Sequence, residues 1–436
     1  MRTSAISRLA LVLVVVVIVV IIAAGAVALY MQYRPTSPSN VVVISFAGWS
    51  AGPTEMANYQ KIINDFEAAN PNIKIDYEVI SQMFFENLLA SFAAGKAPDV
   101  FYLDSSWAPV FISQGLIYPI GDKLPSDFIN QFYPFLLQPF KGSDGKIYGI
   151  PKDWSVLSLF YNKDLFSQAN VPTPTSSWTW SDLFNYAKII HDRTGVAGLV
   201  VQPDFNRWVP YIMSNGGPSP SFNSASDASY FDNSQVRNAI SDFISKVQQG
   251  MNASYVVLPA DVGAGWNGEA FGKQKAAMAI EGSWTIPYLN GTFPNFKYGV
   301  DWDIAPMPQG SSGRVTMAYT VALAVNAHTQ HLDEALKFIE YVEGVTGQKT
   351  LVVGMGQTLP SIESLSNDPN LWPSHAKELS MVNSYSAVQV FSFGSKTGDL
   401  DSKFGQIFLS AFQGKLTTDQ VFTELKNAVS SEFSSS

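Results

Sequence analysis

An apolar run near the start of the chain constrains its organisation more than any other feature of the sequence. The run extends from Leu9 to Leu29 without a charged residue, and Arg2 and Arg8 precede it. The apolar core of a secretory signal is typically about 7–15 residues long, whereas a membrane-spanning helix needs about 20. The length therefore favours an N-terminal transmembrane helix, whose start the two arginines hold in the cytoplasm. The body of the chain would then lie outside the cell.

Two other interpretations of this run stay open. A long signal peptide could be cleaved near the small residues between Ala23 and Ala28. Alternatively, a pilin-like leader of the archaeal type could be cut before the run, which would then stay in the mature protein. All three interpretations export the body. The sequence therefore predicts residues 1–33 as a membrane anchor or signal and residues 34–40 as a Pro/Ser-rich linker.

The composition of the exported body excludes several functions. The chain carries 27 basic and 36 acidic residues, and because only Arg2 and Arg8 precede Met31, the net charge of the body is −11. Such a body lacks the clustered cations that nucleic-acid phosphates require. The chain has no cysteine, which excludes disulfides, thiolate metal sites, cysteine nucleophiles and a lipid-modified cysteine anchor. Aromatic residues make up 13% of the chain, and their planes can stack on the apolar faces of sugar rings.

The body opens with a strand–helix–strand pattern. Residues 41–46 are an apolar run rich in β-branched residues, which predicts a buried strand. Apolar residues then recur at helical spacing from Met56 to Ala69, and Asn70-Pro71 ends the helix. Residues 73–79 alternate between apolar and charged side chains, as in a strand with two unlike faces. This βαβ unit predicts a parallel sheet and an α/β fold.

Two segments follow predicted strands directly. Gly48-Trp49-Ser50 comes after the first strand, and Asp104 follows the apolar run 100–103. Ligands of open α/β sheets bind outside the carboxyl ends of the strands. Both segments are therefore well placed for a binding site, but their position alone names no ligand.

A series of short motifs follows along the chain, and their order is more informative than any single one of them. The motifs are Ala97-Pro-Asp-Val-Phe-Tyr-Leu-Asp104, Gly115-Leu-Ile-Tyr-Pro-Ile120, Tyr148-Gly-Ile-Pro151, Leu159-Phe-Tyr-Asn-Lys-Asp-Leu-Phe166, Trp178-Thr-Trp-Ser-Asp-Leu183, Phe271-Gly-Lys-Gln-Lys-Ala-Ala-Met278, Glu281-Gly-Ser-Trp284, Ile304-Ala-Pro-Met-Pro-Gln-Gly310 and Ala335-Leu-Lys-Phe-Ile339. In this order, over roughly residues 41–365, the chain resembles the family of extracellular solute-binding proteins that includes maltose- and trehalose-binding proteins.

The resemblance implies a two-lobed fold like that of periplasmic binding proteins. Strands would cross between two α/β lobes near residues 148–153 and 301–306, and the lobes would close on a ligand by hinge bending. The implied first lobe comprises residues 41–152 and 303–362. The implied second lobe comprises residues 153–302 and 363–436.

The resemblance also implies which residues bind the ligand. Trp284 matches the family's tryptophan that stacks on sugar, and Asp104 matches a position that accepts hydrogen bonds from sugar hydroxyls. Further candidates lie near strand ends, the implied hinge or loops, and they are Trp49, Asp153, Trp154, Trp208, Trp266 and Tyr319. No ligand residue is assigned after Ser364.

Two enzymatic interpretations compete with a binding protein. Gly48-Trp-Ser-Ala-Gly52 fits the G-x-S-x-G motif of serine hydrolases, but it follows the first strand of the body, and Pro53 removes a backbone N–H near the helix start. A glycoside hydrolase needs two carboxylates about 5–10 Å apart, and the sequence points to no such pair. A surface adhesin would share the anchor, but no internal repeat is visible. His328 and His331 enter a polar helix start, which favours solvent exposure over a metal site.

The resemblance thus implies the substrate-binding subunit of an ABC importer, with no enzymatic activity, cofactor or metal expected. Its cargo would be a mono- or disaccharide, with glucose-containing sugars favoured. The resemblance further implies that the cargo is captured between the lobes and passed to permease subunits that cytoplasmic ATPases drive. The protein is expected to be a monomer at the cell membrane, anchored by its N-terminal helix, with an extracellular body and no nucleic-acid partner.

Overall fold

The computed structural model describes residues 41–49, 52–80, 83–356 and 358–434. The predicted anchor and linker, residues 1–40, lie outside the described residues. Within the described ranges, no helix combines the length and apolar character that crossing a membrane requires.

The strands of the described chain belong to two sheets. In chain order they are β1 (Val42–Gly48), β2 (Ile73–Val79), β3 (Val100–Asp104), β4 (Gly149–Val156), β5 (Ser158–Asn162), β6 (Ala197–Val200), β7 (Val256–Val257), β8 (Ala276–Glu281), β9 (Trp302–Ala305), β10 (Val315–Val325) and β11 (Ala387–Val390).

The helices connect and cover these sheets. In chain order they are α1 (Pro53–Ala69), α2 (Phe84–Ala93), α3 (Ala108–Ser113), α4 (Ser126–Ile129), α5 (Pro134–Leu137), α6 (Lys163–Gln168), α7 (Trp180–Thr194), α8 (Phe205–Ser214), α9 (Ser234–Asn252), α10 (Asn267–Gly272), α11 (Thr285–Thr292), α12 (Leu332–Glu343), α13 (Val345–Gln348), α14 (Pro373–Val382), α15 (Thr397–Phe412) and α16 (Thr418–Ser434).

The first sheet has the strand order β11-β10-β3-β1-β2, and β4 pairs with β10 beside this path. Strand β1 runs parallel to β2 and to β3, which confirms the βαβ unit predicted from the sequence. Helix α1 forms because Tyr59, Ile63 and Phe66 recur at a spacing that brings them to one face, and all three are buried against the core that contains Phe46 of β1.

The second sheet has the strand order β7-β6-β8-β5-β9. Strand β6 is parallel to β7 and β8, whereas β5 is antiparallel to β8 and β9. Helix α7 packs on β6 and begins with a capping box, in which the Thr179 side chain and the Asp182 side chain each bond the other's backbone N–H. The sheet thus presents the carboxyl ends of β6 and β8 at one edge.

Each sheet has its own apolar core, and the chain passes between the two lobes along extended segments. Strand β4 stays in the first sheet as far as Val156, and β9 belongs to the second sheet as far as Ala305. Strand β10 reaches into both lobes, because Met317 packs in the second core and Leu323 in the first. Leu365 also packs in the first core, and β11 pairs with β10 in the first sheet.

Candidate functional site

A cavity of about 550 Å³ lies between the two lobes, a size within the range of small-molecule sites. Helix α1 of the first lobe contacts helix α11 of the second lobe beside it, so both lobes enclose the cavity. Seven of the eight residues that the sequence singled out line this cavity, and they are Trp49, Asp104, Asp153, Trp154, Trp266, Trp284 and Tyr319.

The first lobe contributes an aromatic ring and a carboxyl group from two strand ends. Trp49 directly follows β1, and its ring stands edge-to-face against Phe84 and Tyr102, each at a centroid distance of 5.0 Å. Asp104 ends β3 and accepts hydrogen bonds from the Ser106 backbone N–H (2.8 Å) and hydroxyl (2.5 Å). Burial raises the pKa of Asp104 to about 6, although both hydrogen bonds lower it.

Strand β4 forms the floor of the cavity at the hinge. A bulge in its pairing with β10 brings Lys152 and Asp153 side by side, where they form a buried ion pair with an N–O distance of 2.5 Å. The Lys152 ammonium also lies over the ring of Tyr102, 5.0 Å from the centroid. The charge of this lysine is therefore balanced locally by a carboxylate and an aromatic face.

Trp154 lies at the same floor, but its indole is engaged elsewhere. The indole N–H donates to the carbonyl oxygen of Pro360 at 2.9 Å, and the ring packs against Tyr133 and Phe135 at centroid distances of 5.9 and 5.3 Å. These three aromatic residues line a second cavity of about 750 Å³. Because its ring is 3% exposed and already packed, Trp154 separates the two cavities and has little free surface for a ligand.

Two pairs of aromatic rings also line the cavity, and three of the four rings come from the second lobe, while Tyr319 belongs to β10. Trp284 and Tyr319 meet edge-to-face at a centroid distance of 5.1 Å, and Trp266 and Tyr288 meet at 4.9 Å. Both tryptophans are half-buried, so part of each ring remains open towards the cavity. The Trp284 indole N–H donates to the Glu281 carboxylate at 3.1 Å, which fixes the orientation of the ring.

The first turn of α8 supplies polar groups that the sequence reasoning missed. Asn206 and Arg207 both line the cavity, directly after the loop that leaves the carboxyl end of β6. The Arg207 guanidinium is held by Asp204 (2.6 Å) and by both oxygens of Glu281 (3.1 Å each). Burial raises the pKa of the Glu281 carboxyl, and the charge of Arg207 opposes this rise. The strand-end rule that selected Trp49 and Asp104 would have found this turn as well.

Trp208 is the one candidate that the structure places away from the cavity. Its ring lies 4.1 Å from that of Phe243 in the second core, its side chain is 2% exposed, and its indole N–H donates to the Gln202 carbonyl oxygen at 2.6 Å. Asn206 and Arg207 line the cavity. Because an α-helix turns by about 100° per residue, the next position, Trp208, points towards the core.

The enzymatic interpretations gain no support from the site. Ser50, the candidate nucleophile, lies outside the described residues. Among the described residues that line the cavity there is no histidine, and His375 is fully buried, which lowers its pKa to about 3. A search of residues 41–49, 52–80, 83–356 and 358–434 finds no group of three potential metal ligands.

Comparison with known proteins gives one consistent result. Residues 50–349 match the sequence profile of a family described as bacterial extracellular solute-binding proteins. The chain is 24% identical over 307 residues to a multiple sugar-binding protein of Streptococcus mutans, covering 66% of this chain and 68% of that protein. It is 21% identical over 331 residues to a maltotriose-binding protein of Pyrococcus abyssi, covering 73% and 66%.

Solved structures show the same two-lobed α/β fold. An ABC substrate-binding protein from Listeria monocytogenes in complex with cycloalternan aligns with a TM-score of 0.77 at 20% identity, covering 90% of this chain and 99% of that one. A maltose-bound protein from T. maritima aligns with a TM-score of 0.76 at 18% identity, covering 89% and 99%. These likenesses confirm the fold class expected from the sequence.

Proposed function

Since the chain belongs to the family of bacterial extracellular solute-binding proteins, we propose that it captures a sugar in the cavity between its lobes and delivers it to the permease of an ABC importer. The cargo proposed is a mono- or disaccharide, with glucose-containing sugars favoured. Relatives named as sugar-binding proteins and structures solved with sugars support this assignment.

The proposal rests on one observation: aromatic rings and carboxyl groups line the same cavity. Trp49 comes from the first lobe and Trp284 from the second, and Asp104 and Asp153 line the same cavity. A sugar ring has apolar C–H faces, on which an aromatic plane can stack. Its edge carries hydroxyl groups, which donate hydrogen bonds to carboxylates. A buried carboxylate placed for one epimer is left unpaired by another, which gives such a site its selectivity.

Binding would favour the closed arrangement of the lobes. A sugar that touches Trp49 and Trp284 together has more contacts when the lobes are close than when they are apart, so it shifts the population towards the closed form. The segments between β4 and β5 and between β9 and β10 would serve as the hinge, because the chain crosses between the lobes there. The closed protein would then dock on permease subunits driven by cytoplasmic ATPases.

The cell-surface location is part of the proposal. Residues 1–33 would anchor the protein in the membrane and residues 34–40 would link the anchor to the lobes, which act as a monomer outside the cell. Since the body has a net charge of −11, an anionic membrane surface would not hold it, and attachment depends on the anchor. No observation favours the hydrolase alternative, and we propose that the protein has no enzymatic activity.

A thermal-shift screen tests the proposed function. The full chain, purified in a mild detergent, would be heated with glucose, galactose, arabinose, xylose, trehalose, maltose or cellobiose. A sugar present at 100 times its dissociation constant stabilises the folded state by about 2.7 kcal/mol, which raises the melting temperature visibly. We expect one or two sugars to do so, and Trp284→Ala to abolish the effect.

A control separates ligand contact from general damage. Trp372 is half-buried and lies outside the lining of the cavity, so Trp372→Ala should keep the sugar-dependent shift. If no sugar shifts the melting temperature of the wild-type protein, or if the Trp284 and Trp372 variants respond alike, the proposed sugar site is wrong.

A further inference from the structure

Asn206 lies in the cavity wall, and its side-chain amide is hydrogen-bonded at both its nitrogen and its oxygen. Its backbone N–H donates to Oδ1 of Asp401 at 3.0 Å, and its side-chain Nδ2 donates to Oδ2 of the same carboxyl at 2.7 Å. Its Oδ1 accepts a hydrogen bond from the Tyr319 hydroxyl at 2.5 Å. Asn206 lines the cavity although it is only 4% exposed.

These partners fix which way the amide points. The Asp401 carboxylate accepts hydrogen bonds, so the amide nitrogen of Asn206 must point towards it. The Tyr319 hydroxyl donates a hydrogen bond, so the amide oxygen must point towards Tyr319. An amide group has two N–H donors and two lone pairs on its oxygen. One side-chain N–H and one lone pair of Asn206 are therefore not used by these hydrogen bonds.

Asp401 does not itself line the cavity. It lies on α15, 195 positions from Asn206 in the chain. Its hydrogen bonds to the cavity wall are both made to Asn206. An aspartate suits this position because each of its two oxygens can accept one N–H, whereas the isosteric asparagine offers a single acceptor oxygen. Replacing Asp401 by Asn would leave one of the two N–H groups of Asn206 without an acceptor.

We propose that Asn206 determines which sugar epimer the site accepts and that Asp401 is its positioning residue. This inference rests on the proposed sugar-binding function. The hydrogen bonds to Asp401 and Tyr319 fix the positions of the amide N–H and the amide oxygen of Asn206. The amide then pairs with a sugar hydroxyl in one epimer, whereas the other epimer leaves a buried polar group without a partner. Such mismatches discriminate more strongly than differences in apolar contact.

Calorimetric titration of four proteins tests the proposal. The dissociation constants of the preferred sugar and of its C4 epimer would be measured for wild type, Asn206→Ala, Asp401→Asn and the double variant. We expect Asp401→Asn to weaken binding of the preferred sugar about tenfold. The ratio between the dissociation constants of the two epimers should also become smaller. In the Asn206→Ala background the same change should add less than a factor of two, because both substitutions remove one interaction.

One control and one second test variant complete the experiment. Asp399 lies on the same helix two residues before Asp401, and the hydrogen bonds of Asn206 go to Asp401 and Tyr319. Asp399→Asn should therefore leave both dissociation constants within a factor of two. Tyr319→Phe removes the hydroxyl that holds the other end of the amide, and it should also narrow the epimer ratio. The proposal would be overturned if the Asn206 and Asp401 substitutions had additive effects on the free energy of sugar binding. It would also be overturned if the ratio between the dissociation constants of the two epimers stayed unchanged in Asp401→Asn and Tyr319→Phe.

A measurement without ligand separates this inference from the proposed function. With selectively labelled asparagine, the side-chain amide signal of Asn206, identified by its loss in Asn206→Ala, should exchange slowly with solvent in the wild type and faster in Asp401→Asn. A wild-type protein that binds no sugar would refute the proposed function and the epimer role together. The exchange rates would then still decide whether Asp401 holds Asn206, and equal rates in both proteins would refute that as well.

Discussion

At the scale of single residues, the tryptophans of this protein differ in how deeply they are buried and in what surrounds them. Trp49, Trp266 and Trp284 are half-buried around the cavity, whereas Trp208 lies in the second core at 2% exposure. Trp154 combines both situations, because it lines the cavity and its ring also packs on Tyr133 and Phe135. The same type of side chain therefore lines the cavity in one place and packs in a core in another.

This difference predicts opposite effects for two equivalent substitutions. Trp208→Ala should destabilise the protein by about 3–5 kcal/mol, because it leaves a cavity next to Phe243 in the core, while sugar affinity in the remaining folded protein changes little. Trp284→Ala should remove sugar binding with a much smaller loss of stability. Thermal unfolding and calorimetric titration of both variants check this, and equal losses of stability would contradict the assignment of Trp208 to the core.

Close packing of a helix on a strand sets the geometry of the second lobe at the scale of elements. Helix α7 lies so near β6 that a Cβ atom at Gly198 would stand 2.0 Å from the carbonyl oxygen of Ala187. Backbone at that distance cannot yield as a flexible side chain can. The glycine thus brings helix and strand together, and β6 leads at its carboxyl end into the loop that carries Asn206 and Arg207.

A matched pair of glycine substitutions tests this contact. Gly198→Ala should lower the melting temperature by several degrees, in line with the roughly 1–3 kcal/mol that overpacking a core costs. Gly405 lies inside α15, and the nearest atom to its added Cβ is 3.8 Å away. Gly405→Ala should therefore leave stability unchanged or raise it by up to about 1 kcal/mol. A loss in both variants, measured by thermal unfolding, would contradict the explanation from packing.

Several carboxyl groups are buried in the folded protein, and their burial affects the stability of the whole molecule. Glu343 is 1% exposed and Glu378 fully buried, and burial raises the pKa of each to about 8. Burial likewise raises the pKa of Asp401 to about 7 and that of Asp104 to about 6. A folded state with raised carboxyl pKa values binds more protons than the unfolded chain, so stability falls as the pH rises.

We therefore expect the melting temperature to be highest in mild acid, near pH 5, and to fall as the pH rises to about 8. The window follows from the ordinary glutamate pKa of about 4.3 in the unfolded chain and the folded value of about 8 for Glu343. Glu343→Gln removes this titration and should raise the melting temperature at pH 8 but not at pH 5. Glu340→Gln, on the same helix α12 and only partly buried, is the control. A flat pH profile for the wild type would refute the expectation.

The sequence by itself determined the fold class and one half of the site. The βαβ pattern at residues 41–79 predicted an α/β fold, because alternation and helical spacing are local properties of the chain. The two lobes were implied only by the family resemblance that the order of the motifs carries. The strand-end rule located Trp49 and Asp104 for the same reason, since a strand end can be read from a few consecutive residues. The resemblance added Trp284, which the structure places in the same cavity.

Only the tertiary structure decided which of the other candidates face the cavity. Trp208 and Arg207 are neighbours in the chain, yet one is buried in the core and the other lines the site, because a helix turns by about 100° at each residue. Asp401 meets Asn206 from 195 positions away. Contacts of this kind depend on how separate elements pack, and periodicity along the chain carries no information about them.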